Sequence, residues 1–250
     1  MSFIRFPNSN SLSFIRTEDY DLLQSDTTRL NIDFNYPSLE NPCYFVKILK
    51  SKGLWIQYRT DYTAKKCYIV DENDNEIDIT SFIADGVELT DSRFQYELNL
   101  DLTTYSGYYY LRFEFNQDVD KPIATFQSEW FEVGTSFENH LQIEWQNSSY
   151  EPYDDGIVWS QTQSIWIDSR ISNLVVDAQK TVFEAENYKL ITTQSQPIKS
   201  KVWEIELIPD WIVEKLNIAM QHDLFYINSV RYNSEETFDD AERQGDTRLY

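Results

Sequence analysis

The chain has 250 residues, a formal net charge of −21, 17 Tyr, 15 Phe and 7 Trp, but only 6 Gly and 2 Cys. A field of that sign repels phosphate backbones and anionic membrane surfaces, so neither nucleic acid nor membrane is expected as a partner. The excess is even: residues 1–135 carry 22 acidic and 12 basic side chains (−10), and residues 136–250 carry 20 and 9 (−11). Cys43 and Cys67 lie in strand-like segments where a thiol packs as a small hydrophobe; two cysteines make no disulfide scaffold, and their pairing stays open. The start, MSFIRFPNSN, lacks the apolar stretch of a secretory leader, and no apolar run nears the roughly 18 residues of a membrane span.

In chain order, residues 1–28 are polar with scattered aromatics and read as an N-terminal arm, packed on its own domain or on a neighbour. From Arg29 the alternation of strands begins. Leu30, Ile32 and Phe34 alternate up to Pro37, residues 43–49 form a second run, and Leu54, Ile56 and Tyr58 alternate after the turn Ser51-Lys52-Gly53. Residues 66–70 and 76–79 flank the polar turn 71–75, a hairpin signal. Phe94, Tyr96, Leu98 and Leu100 share one face of the next strand. Residues 106–133 close the domain: Tyr109, Leu111, Phe113 and Phe115 face inward, 116–122 reads as a turn or edge loop holding Pro122, and Phe131 and Val133 return beside the first strand. Turn signals at this spacing predict an immunoglobulin- or fibronectin-like β-sandwich over residues 29–134.

Residues 135–233 predict a second β-rich domain. Strands are expected at 141–145, 157–159, 164–167, 181–183, 188–192 and 201–208. Pro209-Asp210 opens a helix over about 210–221, with Ile212, Leu216, Ala219 and Met220 as its apolar stripe. A short hairpin turns at Asn228-Ser229, and residues 234–250 form an acidic tail with six acidic and two basic side chains. The fold class is therefore mainly β: two tandem β domains, the second with one short helix.

Catalytic and metal motifs fail on geometry. The run Asp71-Glu72-Asn73-Asp74-Asn75-Glu76-Ile77-Asp78 is rich in oxygen ligands, but a calcium loop needs Gly sixth and Glu twelfth, where this chain has Glu76 and Phe82. A hairpin turn accounts for it. The acid pairs Asp154-Asp155 and Asp239-Asp240 would point to opposite faces of a strand, against the geometry of a glycosidase. His140 and His222 have no Ser elbow, Cys set or further His beside them in sequence, and a helix C-terminus accounts for His222. Neither a Gly-rich nucleotide fingerprint nor a P-loop is present. The sequon Asn147-Ser148-Ser149 has no meaning without secretion. No catalytic, cofactor-binding or metal residue is assigned, and no cofactor is expected. One alternative rests on aromatics: Trp145, Trp159 and Trp166, with Tyr150 and Tyr153, would suit a sugar-stacking platform of a carbohydrate-binding module in host-surface adsorption.

Three stretches carry a resemblance: SGYYYLRFEF followed by FQSEWFEV, then LQIEWQNSSYEPYDDGIVWSQ, then EIELIPDWIVEKLNIAMQHDLFYINSVRY. In order and cadence they resemble virion structural proteins of Bacteroidetes-infecting tailed phages of the crAss-like type. In that pattern a domain closes with S-E-x-F-x-V, here Ser128, Glu129, Phe131 and Val133, and a strand, a short helix and an I-N hairpin follow, here ending at Ile227-Asn228. The resemblance spans about residues 40–233. It implies a non-enzymatic subunit of a tail, neck or ring, present in several copies in the virion and assembled in the host cytoplasm. Its partners would be other copies of itself and neighbouring virion proteins. Tyr110, Arg112, Trp130 and Trp166 are the side chains expected to make those contacts.

Overall fold

A computed structural model describes residues 4–17, 45–62, 64–88, 93–118, 121–146, 162–171, 175–184, 190–200, 203–205 and 210–232. The strand expected at 30–34, that at 157–159, Cys43, Asp154-Asp155, the Asn147 sequon and the acidic tail lie outside them.

The N-terminal arm supplies β1 (Ile4–Arg5) and β2 (Phe14–Arg16). The chain resumes with β3 (Val46–Leu49), a 3-10 turn at Lys50–Lys52, and β4 (Leu54–Thr60). Gly53 between turn and strand takes φ +66°, and a Cβ there would lie 3.0 Å from the Leu100 carbonyl oxygen, so only glycine fits without strain. Next come β5 (Ala64–Asp71), β6 (Glu76–Asp78), β7 (Val87–Glu88), β8 (Phe94–Leu100), β9 (Gly107–Asp118), β10 (Lys121–Ser128) and β11 (Phe131–Gly134). The second half adds β12 (His140–Gln146), β13 (Gln163–Ile171), β14 (Val175–Glu184), β15 (Leu190–Ser200), β16 (Trp203–Ile205), helix α1 (Asp210–Met220), β17 (Leu224–Ile227) and β18 (Val230–Tyr232).

The chain is mainly β and sandwich-like. One sheet has the order β1-β4-β8-β7; the other runs β18-β17-β12-β13-β3-β11-β9-β10-β2, with β5 on the far edge of β9 and β6 on β5. Alternation decides what lies between the sheets. Leu54, Ile56, Tyr58, Leu98 and Leu100 meet Cys67, Ile69, Leu111, Phe113 and Phe115, all fully buried or nearly so. Cys67 is a free thiol, and burial pushes its pKa up. The arm plugs the same space: the Phe6 ring stacks on Phe14 at 4.1 Å and meets Phe113 edge-on at 5.2 Å.

One expectation changes. Within residues 116–122 the strands reach further than a turn or edge loop implies: β9 runs to Asp118 and β10 starts at Lys121, with Pro122 opposite Asn116 between two register shifts. A bulge accommodates a residue without an N–H, and β10 has only β9 beside it there, because β2 pairs with residues 126–128 alone. Across residue 134 the buried cluster continues. β3 pairs in parallel with β11 and touches β13 at Lys47↔Trp166, and one continuous apolar cluster runs from Phe113 to Trp145, Ile165, Leu216 and Ile227.

Leu12 is fully buried in that cluster, whereas the neighbouring Asn8 is exposed. Leu12→Ala should therefore lower unfolding stability by about 2–5 kcal/mol, while Asn8→Ala should change it by less than about 0.5 kcal/mol. Equilibrium urea denaturation of the two variants checks this.

Candidate functional site

Each residue expected to touch a partner already has work within the chain. Tyr110 is half-buried, with its ring edge-on to Trp130 at 4.8 Å. Arg112 is also half-buried. It donates through both terminal nitrogens to the Glu76 carboxylate, Nη2 to Oε2 at 2.8 Å, and reaches Glu114 at 3.2 Å. Its guanidinium also lies over the Tyr68 ring, 4.8 Å from the centroid. Trp130 and Trp166 are each only 7% exposed. Trp145 is buried too, so Trp145 and Trp166 are core side chains and not a stacking platform; Trp159, Tyr150 and Tyr153 lie outside the described residues.

Within the polar hairpin 71–78, Asp71 spends its oxygens on the turn, Asp78 accepts from the Thr80 N–H, and Glu76 is held by Arg112. Asp71 Oδ1 accepts from the backbone N–H of Asn73 and Asn75, and Oδ2 accepts from the Asn75 side-chain amide at 2.8 Å. Those bonds, the Asn75 side chain first, hold the Asp71 carboxyl below its usual range. Among the described residues no group of three or more His, Cys, Asp or Glu could hold a metal ion. His140 Nδ1 lies 2.6 Å from the Glu138 carbonyl, and His222 Nδ1 lies 2.8 Å from the Ile218 carbonyl in the last turn of α1.

What sequence reading missed is a buried polar seam where the arm meets both halves. Residues 9–13 follow no regular strand, so their backbone groups need side-chain partners. The Asn10 side-chain amide bonds both backbone groups of Gln57, at 2.9 and 3.0 Å, and so imitates a strand neighbour of β4. The Trp145 indole N–H donates to the Ser9 carbonyl, and the Ser11 N–H donates to Gln163 Oε1, each at 2.9 Å. The Ser13 N–H is shared by both oxygens of Glu129, at 2.9 and 2.8 Å. Lys215 of α1 completes the set, donating to the Asn10 carbonyl at 3.1 Å and to Ser13 Oγ at 3.0 Å, with its ammonium 3.5 Å from Glu129. The side chains of Glu129 and Lys215 are 2% and 3% exposed, so this is a true buried ion pair. One signal was available: Lys215 sits on the same helical arc as Ile212, Leu216 and Ala219, where solvated lysine does not belong.

Glu129 can point into the seam because the strand breaks there. β10 and β11 pair with the same edge of β9, over Arg112–Asp118 and Gly107–Tyr109 respectively. Between them Ser128 Oγ accepts the Leu111 N–H at 2.9 Å and donates to the Glu129 carbonyl at 2.7 Å. A hydroxyl thus stands in for the missing strand carbonyl.

One cavity opens beside the seam, with a volume of about 220 Å³. Ser11, Lys52, Trp55, Glu144, Thr162 and Gln163 line it. Lys52 donates to Glu144 at 2.9 Å, and Thr162 Oγ1 donates to Gln146 at 2.9 Å. Two of the lining residues carry buried polar atoms without a hydrogen-bond partner, Gln163 Nε2 and Ser164 Oγ; each such orphan costs about 1–3 kcal/mol. Among the described residues that line it, Glu144 is the one carboxylate, and it is paired with Lys52.

Comparison with family models, curated proteins and solved structures found no match to this chain. No helix among the described residues is long and apolar enough to cross a membrane.

Two outcomes follow from these contacts. Lys215→Met strands the Glu129 carboxylate in the seam and should cost about 3–5 kcal/mol, and adding Glu129→Gln should recover part of the loss. Urea unfolding across the double-mutant cycle measures it. Separately, the Arg112 hydrogen bonds hold the Glu76 carboxyl below its usual range. A depressed carboxyl contributes stability that is present above its unfolded pKa and is lost as pH falls through the folded value. The Glu76 side chain is 42% exposed, so solvent screening keeps this below about 1 kcal/mol. In Arg112→Gln the Glu76 pKa should rise to near the ordinary value of about 4.3, as read by NMR titration.

Proposed function

We propose that the chain is a non-enzymatic structural subunit of a phage tail, neck or ring assembly, acting through protein–protein contacts among several copies of itself and neighbouring virion proteins. The observation that carries this reading is the ribbon of β14 and β15. Its strands pair from Val175↔Ser200 to Glu184↔Leu190 and form a two-stranded sheet of their own. An isolated ribbon is marginal in water, and its open edges are templates for further pairing. A partner chain would supply the strand or surface that the described elements do not.

A ring needs two different faces on each subunit, since its interface is heterologous. A second face is available at the lateral edge of the sandwich, where β6 ends one sheet and β7 ends the other. Ile77, Phe82 and Val87 stand exposed there at 50%, 46% and 65%. The outward face carrying Tyr110 and Arg112 adjoins this edge through the Arg112–Glu76 pair. The strand order also favours an immunoglobulin-like sandwich for the first unit. β1-β4-β8-β7 lies opposite β3-β11-β9-β5-β6, with a parallel closing pair, and a second β-rich unit with α1 follows.

The ribbon is not strand-paired with either large sheet, so its removal should spare their ladders. Replacing residues 176–199 by a short Gly-containing turn should leave urea unfolding cooperative but convert a rotational oligomer to monomer in sedimentation velocity. A wild-type chain that is strictly monomeric, and absent from purified particles, would overturn the reading.

A further inference from the structure

We infer that the cavity beside the seam is a binding site for one neutral sugar ring, independent of any assembly role. Three separate segments build it: Ser11 from the arm, Lys52 to Trp55 from the first sheet, and Glu144 with residues 162–164 from the second half. Its chemistry is mixed in a specific way. Trp55, on the outward side of β4, gives an aromatic wall, since its neighbours Leu54 and Ile56 take the inward positions. A pyranose presents an apolar C–H face to such a ring and hydroxyls around its rim. For those hydroxyls the lining offers a cation, a carboxylate and a hydroxyl, from Lys52, Glu144 and Thr162. This set both donates and accepts, as sugar hydroxyls do.

The charges argue against an ion as ligand. Lys52 and Glu144 are paired at 2.9 Å, so an anion approaching the ammonium meets the carboxylate, and a cation meets the reverse. A neutral ligand can bridge both without breaking the pair. Size points the same way: about 220 Å³ lies below the roughly 300–1,000 Å³ of sites for drug-sized ligands, and suits a single ring. Two of the lining residues also carry buried polar atoms without a hydrogen-bond partner, Gln163 Nε2 and Ser164 Oγ, so the polar groups of this wall are not all satisfied within the chain.

The test is saturation-transfer NMR on the full chain with methyl glycosides of glucose, galactose, mannose, fucose, rhamnose and N-acetylglucosamine, and glycerol as control. At least one glycoside should show transfer concentrated on the C–H protons of one ring face. Trp55→Ala should weaken its binding by roughly tenfold or more. Thr162→Val, at an exposed rim position, should weaken it with the fold intact, and serves as the decisive variant if Trp55→Ala does not fold. Signals no stronger than glycerol's for every glycoside, or signals that Thr162→Val and any folded Trp55→Ala leave unchanged, overturn the proposal.

Discussion

The ion pair between Glu129 and Lys215, with the arm backbone threaded between them, is the constraint on which the described fold depends. Burying two charges is expensive, and attraction alone rarely offsets the desolvation. Here each partner also makes hydrogen bonds: Glu129 accepts the Ser13 N–H, and Lys215 donates to Asn10 and Ser13. The arm is buried by side chains that come from β4, β12, β13, α1 and the β10–β11 break. A hydrophobic substitute for the pair would leave the arm's backbone groups without partners. The polar seam thus does what apolar packing cannot: it sets one register for a segment that forms no ladder of its own through residues 9–13.

Much of the architecture was legible because period-two alternation is imposed directly by burial on one side of a sheet. Leu111, Phe113 and Phe115 read correctly as an inward face, with Tyr109 half-buried at its end, and the apolar stripe of α1 gave Ile212, Leu216 and Ala219 as buried. The turn at 71–75 and the hairpin at Asn228-Ser229 follow from residues that tolerate positive φ: Asp74, Asn228 and Ser229 all adopt it. The ribbon was seen only as two shorter strands, because its sequence lacks a sustained apolar face.

The seam was not legible, and the reason is physical. Glu129, Lys215, Gln163 and Asn10 are polar residues whose solvated and buried states look alike in sequence. Only the arrival of partners far along the chain distinguishes them. The S-E-x-F-x-V cadence was noticed as a pattern without its causes. Ser128 replaces a strand carbonyl, Glu129 turns into the seam, and Phe131 and Val133 return to the core. The same blindness affected the aromatics. Trp130 and Trp166 looked like contact residues because tryptophan suits interfaces, yet both are buried within the chain, while the half-buried Trp55 at the cavity drew no notice.

The seam also orders events in time. Asn10 is bonded by Lys215, 205 positions later, and Ser11 by Gln163, 152 positions later. The arm's partners arrive in two stages. Gln57 and Glu129 follow Asn10 and Ser13 by 47 and 116 positions, so β4 and β10 can take up the arm once the first half is made. Gln163 and Lys215 come later, and contacts of such separation form slowly, since loop closure comes before any gain. Until they arrive Glu129 stands without its cation, and the register of residues 9–13 is held from one side only.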